Sequence, residues 1–558
     1  MEKYLVTVKK GVDIDQFYDD METSGGTSTI PDREVDCYDR RPISRNTGYI
    51  LSEEEVNQLK NDPRVVGIES QSLLDTITNH PCWTQTSTDW DKSSTSTNTN
   101  RNWGLYRCIN GEQVSNWGSN GTVDASATIV TTSSGKNVDV VIVDGHLNIN
   151  SPEFAVNDDG TGGSRVQQFN WLSLNPTVLG TAAGTYSYRS GSSLNNANDN
   201  HGQHVAGTVA GNTQGWARDA NIYYMSPYDS ASSTTIGGDR LFEYIRAWHN
   251  SKSVNESTGR RNPTIVNNSW GSTWNNTLRS NITSIVYRGT TYNSGFTDSA
   301  FQNTFGIRDF DATNVYIQAY ITASYIADME DAVNDGVIFV GSAGNDSTKI
   351  DIEGGDDFNN YIVISGSAYY YHRGSWNNAG SRSGVGGQRL SVCVGAVSAL
   401  VNESKGTYSN CGPRVDVYAP GTNIISAVHD GTVTGGSVST VNDSRDSSYK
   451  LGKYNGTSMA SPQVCGVLAC LLEQYPNMNQ SDIMSYLEQH SKTNQMTTTS
   501  SGYNDDTDIQ GSSNSYLFYK KERGETGSIT PRYSYSARKG STNGVKYPRV
   551  NTRVTKRV

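Results

Sequence analysis

VDVVIVDGH, from Val138 to His146, decides the fold class. Val140, Val141, Ile142 and Val143 follow one another without the polar alternation of a half-exposed strand, and the run closes in Asp144 and Gly145. A short β-branched run that is apolar on both faces belongs to a strand buried on both faces, as in parallel sheets covered by helices. Outward from it the theme repeats. Ile222 to Tyr224, Thr264 to Asn267, Val337 to Val340 and Val392 to Val397 read as further strands. His204 to Ala210, Leu241 to Asn250, Ile321 to Asp335 and Met459 to Leu472 read as helices between them. The expected class is α/β, a parallel sheet with helices on both faces.

Residues 1–78 carry a pattern of their own. Tyr4 to Val8, Glu34 to Tyr38, Gly48 to Leu51 and Val65 to Ile68 read as strands, with helices over Asp13 to Thr23 and Ser52 to Asn61. The order βαββαβ makes a small α+β domain. Ser52 and Glu55 have capping-box spacing, and Pro63 lies just beyond the second helix. Residues 79–101 are dominated by Ser, Thr, Asn and Asp (TQTSTDWDKSSTSTNTN) and read as an exposed linker. The main domain is expected over 102–495, interrupted by polar surface insertions at about 272–316, 346–388 and 428–450. Residues 496–558 read as a polar, basic tail.

Composition narrows the function classes. Of 558 residues, 34% are hydrophobic and 18% charged, and the net charge is −11. From Lys520 onward eleven Lys and Arg face two acids, a surplus of nine that leaves −20 for the rest. Such a tail reads as a solvated terminus and by itself does not call for nucleic acid. The longest apolar runs, such as Val464 to Leu472 with Gly466 inside, fall far short of the ~18 residues of a membrane span. Seven scattered cysteines without a CxxC pair suggest neither a disulfide framework nor a zinc site. The start, MEKYLVTVKKGVDID, has no apolar h-region, so no signal peptide is expected.

Four short stretches carry chemistry. Asp144 stands at a strand's carboxyl end, where functional groups gather in open α/β sheets. In DNHGQHVAGTVAG, His201 is expected at the start of a small-residue helix with His204 a turn later; HxxH without an acidic third ligand argues against a metal pair. In YNGTSMASPQVCGVLACLL, Ser458 falls in the first turn of an apolar helix, either as a cap or as a hydroxyl held at the positive helix end. In VIFVGSAGNDS, a strand runs into Gly344 and Asn345, whose amide can turn the chain or donate to an oxyanion. Each has an ordinary structural explanation alone. Together, in the order Asp, His, Asn, Ser, they match one arrangement of the Ser/His/Asp triad.

At these motifs the chain resembles the subtilisin-like serine proteases, the peptidase S8 family, over about 102–490. VIVDG, HGQHVAGTVAG, SAGN and GTSMASPQV are similar to the family's Asp, His, Asn and Ser motifs, and NNSWG and VYAPGTNI match two further stretches. LSEEEVNQLKNDPRVVGIE, in the first unit, resembles the inhibitor I9 propeptide. The resemblance implies Ser458 as nucleophile, His201 as general base and acid, Asp144 as its orienting partner and Asn345 as oxyanion donor. It implies that Ser269, Trp270, Gly271 and Gly344 border the substrate, and that His204 is structural. Its implied partners are a protein or peptide substrate and the chain's own N-terminal unit as inhibitor, and the chemistry requires no cofactor.

Departures from the family pattern set further expectations. The usual calcium site pairs an acid nine residues after the catalytic Asp, here Glu153, with a loop after the His helix. That loop, GNTQGWARDANIY, is several residues too short, so the site is expected to be incomplete; Asp158, Asp159 and neighbouring oxygens read as a solvated loop or, alternatively, as other oxygen donors to calcium. Self-cleavage is expected between Leu74 and Pro81, most naturally after Ile77. Insertions and tail also resemble, more loosely, subtilase-like proteins of marine tailed phages, which points to a host-cytoplasm or virion location, or to secretion if a signal peptide is missing. The rival to a protease is an idle protease fold serving as a virion structural or binding protein.

Overall fold

The computed structural model describes residues 1–23, 34–40, 45–70, 83–87, 90–92, 101–114, 117, 127–227, 236, 240–271, 277–308, 310–311, 313–315, 323–373, 389–498 and 508–520. The expected cleavage segment 74–81, residues 93–100 and the tail from 521 lie outside the described residues. The chain divides into two compact units, Met1–His80 and Pro81–Val558.

The first unit has the expected order of strands (Glu2–Val8, Cys37–Arg40, Asn46–Leu51, Val65–Ser70) and helices (Ile14–Glu22, Glu53–Leu59). Its antiparallel sheet places Glu2–Val8 between Asn46–Leu51 and Val65–Ser70, and Phe17, Met21, Val56 and Leu59 from the helices bury against it. Ser52 Oγ accepts the Glu55 N–H at 3.2 Å while Glu55 Oε2 accepts the Ser52 N–H at 2.7 Å, so the predicted capping box forms.

The second unit is built on a nine-stranded sheet. Its spatial order is Val166–Gln167, Asn221–Met225, Asp139–Val143, Thr264–Asn268, Val337–Ser342, Val392–Val397, Val417–Pro420, Ser515–Tyr516 and Lys492–Thr493; only the last pairing is antiparallel. Asp139–Val143 shows why its sequence is apolar throughout. Val140 and Ile142 join one core with helices Ala197–Ala210 and Thr457–Gln474, whereas Val141 and Val143 join another with Leu241–Ser251 and Ala323–Asn334. Period-two alternation thus feeds two helix layers, the α/β architecture expected.

Three expectations need correction. Residues 83–87 and 90–92 are not an exposed linker: Trp83–Ser87 pairs with Ala127–Thr131, Trp90–Asp91 pairs with Arg101–Asn102, and Trp90, Asp91 and Lys92 are buried. Lys92 Nζ donates to Glu403 Oε1 at 2.9 Å, Arg107 Nε bonds the same carboxylate at 2.8 Å, and Lys453 Nζ reaches Asp91 Oδ2 at 2.6 Å. The polar composition hid this because three side chains do the anchoring. Nor does the folded domain stop at 495. Tyr516 pairs with Tyr418, and the Tyr519 hydroxyl accepts the Thr132 and Ser133 N–H groups at 3.0 and 3.2 Å. Lastly, two of the insertions are one structure. Ile282–Tyr287 and Tyr361–Ile364 pair antiparallel, Thr290–Tyr292 and Ser367–Tyr370 extend the sheet, and Ile285, Phe301, Phe305 and Ile362 give it a core. The two halves are also joined by Asp357, which accepts Arg288 at 2.7 and 2.9 Å and is itself braced by Lys349 at 2.7 Å.

Candidate active site

Asp144 follows strand Asp139–Val143 directly and is buried. The histidine helix starts at Ala197, a turn earlier than the sequence suggests, because Asn196 caps it by accepting the Asp199 N–H at 2.9 Å. His201 therefore lies in its second turn. Asp199 then ties this end to the strand, accepting the His146 N–H at 2.8 Å. The approach is close enough to demand glycine on both sides. A Cβ on Gly145 would lie 1.9 Å from the Asn198 carbonyl oxygen, and one on Gly202 would lie 2.5 Å from that of Gly145. This contact brings His201 Nδ1 to 2.8 Å from Asp144 Oδ1, which also accepts the Gly145 N–H at 2.8 Å. Burial opposes the imidazolium charge, but the adjacent carboxylate outweighs it and raises the His201 pKa above its ordinary value.

His204, on the next turn, is a different kind of histidine. Its Nε2 donates to the carbonyls of Ile424 at 2.8 Å and Gly452 at 3.2 Å, its ring stacks on Tyr454 at 4.5 Å, and burial pushes its pKa down to about 3. It is neutral and structural.

Ser458 is the second residue of the Thr457–Gln474 helix, entered through Gly456 at φ 151, a conformation that favours glycine. The helix carries Pro462 inside it. Lacking an N–H, Pro462 cannot bond the Ser458 carbonyl four residues back. That carbonyl instead accepts Ser269 Oγ at 3.0 Å, and Ser458 Oγ donates to the Ser269 carbonyl at 3.0 Å. Asn267 closes the ring: its Nδ2 donates to Ser269 Oγ and its Oδ1 accepts Ser461 Oγ, both at 2.9 Å. The nucleophile helix and the end of strand Thr264–Asn268 are thereby held as one piece.

Asn345 is exposed beyond the buried Val337–Ser342 strand. Its Oδ1 accepts both the N–H and the hydroxyl of Thr457 at 2.9 Å. A backbone N–H can only donate, so this fixes which amide atom is the oxygen and leaves Nδ2 as the donor. Asn410 braces the turn, donating to the Ala343 carbonyl at 2.9 Å and accepting the Thr348 N–H at 2.9 Å. Of the expected substrate-bordering residues, Gly344 is half-buried and Gly271 exposed, but the Trp270 indole is only 7% exposed, packed in the second core with Nε1 on Asn268 Oδ1 at 3.2 Å. The residues that sequence reasoning left unassigned are Thr457, Asn267, Ser461 and Asn410. Two of them, Thr457 and Ser461, sit inside the quoted motif GTSMASPQV, yet their bonds reach residues more than a hundred positions away.

Comparison with known proteins adds the following. The Subtilase family matches residues 135–512, and the chain belongs to that family. It is 38% identical over 97 residues to an extracellular protease of Xanthomonas campestris pv. campestris, covering 17% of this chain and 15% of the relative. With subtilisin E of Bacillus subtilis it shares 31% over 130 residues, 23% of this chain and 28% of that one, and with subtilisin-like protease 3 of Arthroderma benhamiae 42% over 83 residues, 15% and 16%. The chain thus matches less than a third of the length of these relatives. Among solved structures, a cold adapted subtilisin-like serine proteinase is similar at 19% identity and a TM-score of 0.41, covering 75% of this chain and 98% of that one.

Proposed function

We propose that the protein is a serine endopeptidase made as a self-processing zymogen. The observation that carries this reading is the 2.8 Å pairing of His201 with a buried Asp144, in a family chain whose Ser458 heads a helix with Asn345 bonded to its neighbour Thr457. With Nδ1 held by Asp144, His201 Nε2 is the base left for Ser458. The serine hydroxyl turns from the Ser269 carbonyl to His201, attacks the scissile carbonyl, and forms an acyl-enzyme; His201 returns the proton to the leaving amine. Asn345 Nδ2 and the Ser458 N–H receive the oxyanion, a donor of this kind contributing ~3 kcal/mol in the transition state. Ser269, Gly271 and Gly344 supply backbone beside the substrate. The unit 1–78 acts as folding aid and inhibitor until it is cut away.

A fluorophosphonate probe tests the reading. Wild type labels and Ser458→Ala does not. An unlabelled wild type would mean that the fold is idle, and a virion structural or binding role would take its place.

A further inference from the structure

Glu153 stands where the family resemblance puts an acidic calcium ligand, and the structure gives its carboxylate another partner. Its side chain is completely buried, so an isolated charge there would cost several kcal/mol. Thr213 Oγ1 donates to Oε1 at 2.6 Å and the Gln214 N–H to Oε2 at 3.1 Å. The balancing charge is Arg445, 292 positions away on the polar segment 428–450. Its Nη2 binds Glu153 Oε1 and Asp443 Oδ2, the latter at 2.6 Å; Nε binds Asp443 Oδ1 at 2.9 Å; Nη1 donates to the carbonyls of Pro152 at 3.2 Å and Asp158 at 3.3 Å. All five guanidinium donors are used. The oxygens they meet, two carboxylates and two carbonyls, are of the type a calcium ion takes.

A second guanidinium works the other side of the same residue. Arg165 Nη2 donates to the carbonyls of Glu153 at 3.0 Å and Ala210 at 2.6 Å and to Asn212 Oδ1 at 3.0 Å, while Nε and Nη1 take the carbonyls of Ala155 and Ala220 at 3.1 and 3.2 Å. Among the described residues no three His, Cys, Asp or Glu side chains converge on a point that could hold a metal. Asp159, the other suggested donor, is engaged in a surface turn, accepting Thr161 Oγ1 at 2.6 Å. The residues present do not fit a calcium ion, because a fixed positive group fills its place.

We propose that the crossing of residues 151–159, 211–214 and 443–445 is closed by the Arg445 guanidinium in the place of a metal ion. This part of the fold is then calcium-independent, and removing the guanidinium converts it into a calcium site. Thermal unfolding of the full chain in a Ser458→Ala background, in EDTA and in millimolar calcium chloride, tests both halves. Arg445→Ala is expected to lower Tm in EDTA by about 5 °C or more. Calcium should restore a large part of that loss while moving the parent far less, and adding Glu153→Gln should abolish the restoration. If Arg445→Ala does not fold, Arg445→Gln, which keeps bulk without charge, enters the same comparison. The proposal is overturned if the Arg445 variant melts with the parent in EDTA, or if calcium raises both by the same amount.

Discussion

In the proposed mechanism His201 takes a proton from Ser458 and must be neutral to do so, so the residue that holds it would also set the pH range of the reaction. The Asp144 carboxylate raises the His201 pKa, which moves the acid limb of kcat/KM above the ordinary imidazole value of about 6.5. Activity should therefore fall as pH drops through a midpoint above that value. Asp144→Asn, which removes the charge, should lower activity steeply and shift the residual limb downward; a limb that stays put would detach the carboxylate from the titration. For stability the sign is opposite: a raised histidine pKa favours the folded state below the unfolded value, and the gain disappears as pH rises through the folded one. Asn345 makes a separate prediction. Thr457 occupies its Oδ1, so under the proposed mechanism Asn345→Ala would delete the Nδ2 donor to charge that exists only in the transition state. Turnover should drop ~100-fold to 1000-fold with little change in KM. A raised KM with unchanged kcat would assign the residue to ground-state binding.

At the scale of elements, the arm of residues 83–87 and 90–92 is what composition concealed. Its Lys92 is fully buried, bonded to Glu403 and lying 4.7 Å from the Trp103 ring centroid. Removing one member of a buried charge group strands the others, at a cost of ~3–5 kcal/mol. Lys92→Ala should therefore lower Tm clearly in a Ser458→Ala background, where a solvated linker lysine would leave it unchanged. The Ser52 cap, legible four residues at a time, is the opposite case, since both partners lie in one turn.

For the whole molecule the question is maturation. If the protein cuts its own N-terminal unit away, wild type should run near the size of residues 78–558, while Ser458→Ala stays at 60.8 kDa. Equal sizes would speak against self-processing. The arm adds a constraint, because a cut beyond Lys92 would sever Lys92 and Asp91 from the fragment they would otherwise anchor from within. N-terminal sequencing should accordingly find a mature start within 75–82; a start beyond Trp103 would contradict both the register and the arm's role.

What the sequence determined by itself was whatever is encoded locally. Unbroken apolar runs such as Val140 to Val143 specify parallel strands, Gly-flanked motifs mark Asp144, His201, Asn345 and Ser458, and the Ser52 to Glu55 spacing specifies a cap, since each depends on neighbours within a turn or a strand. Tertiary structure decided the pairings between residues far apart in the chain: Glu153 with Arg445, Lys92 with Glu403, Ser269 with Ser458, and one insertion's strand with the other's. Hydrophobic periodicity is written along the chain, whereas the partner of a buried charge or a freed carbonyl is chosen by which loops the packed sheet brings together.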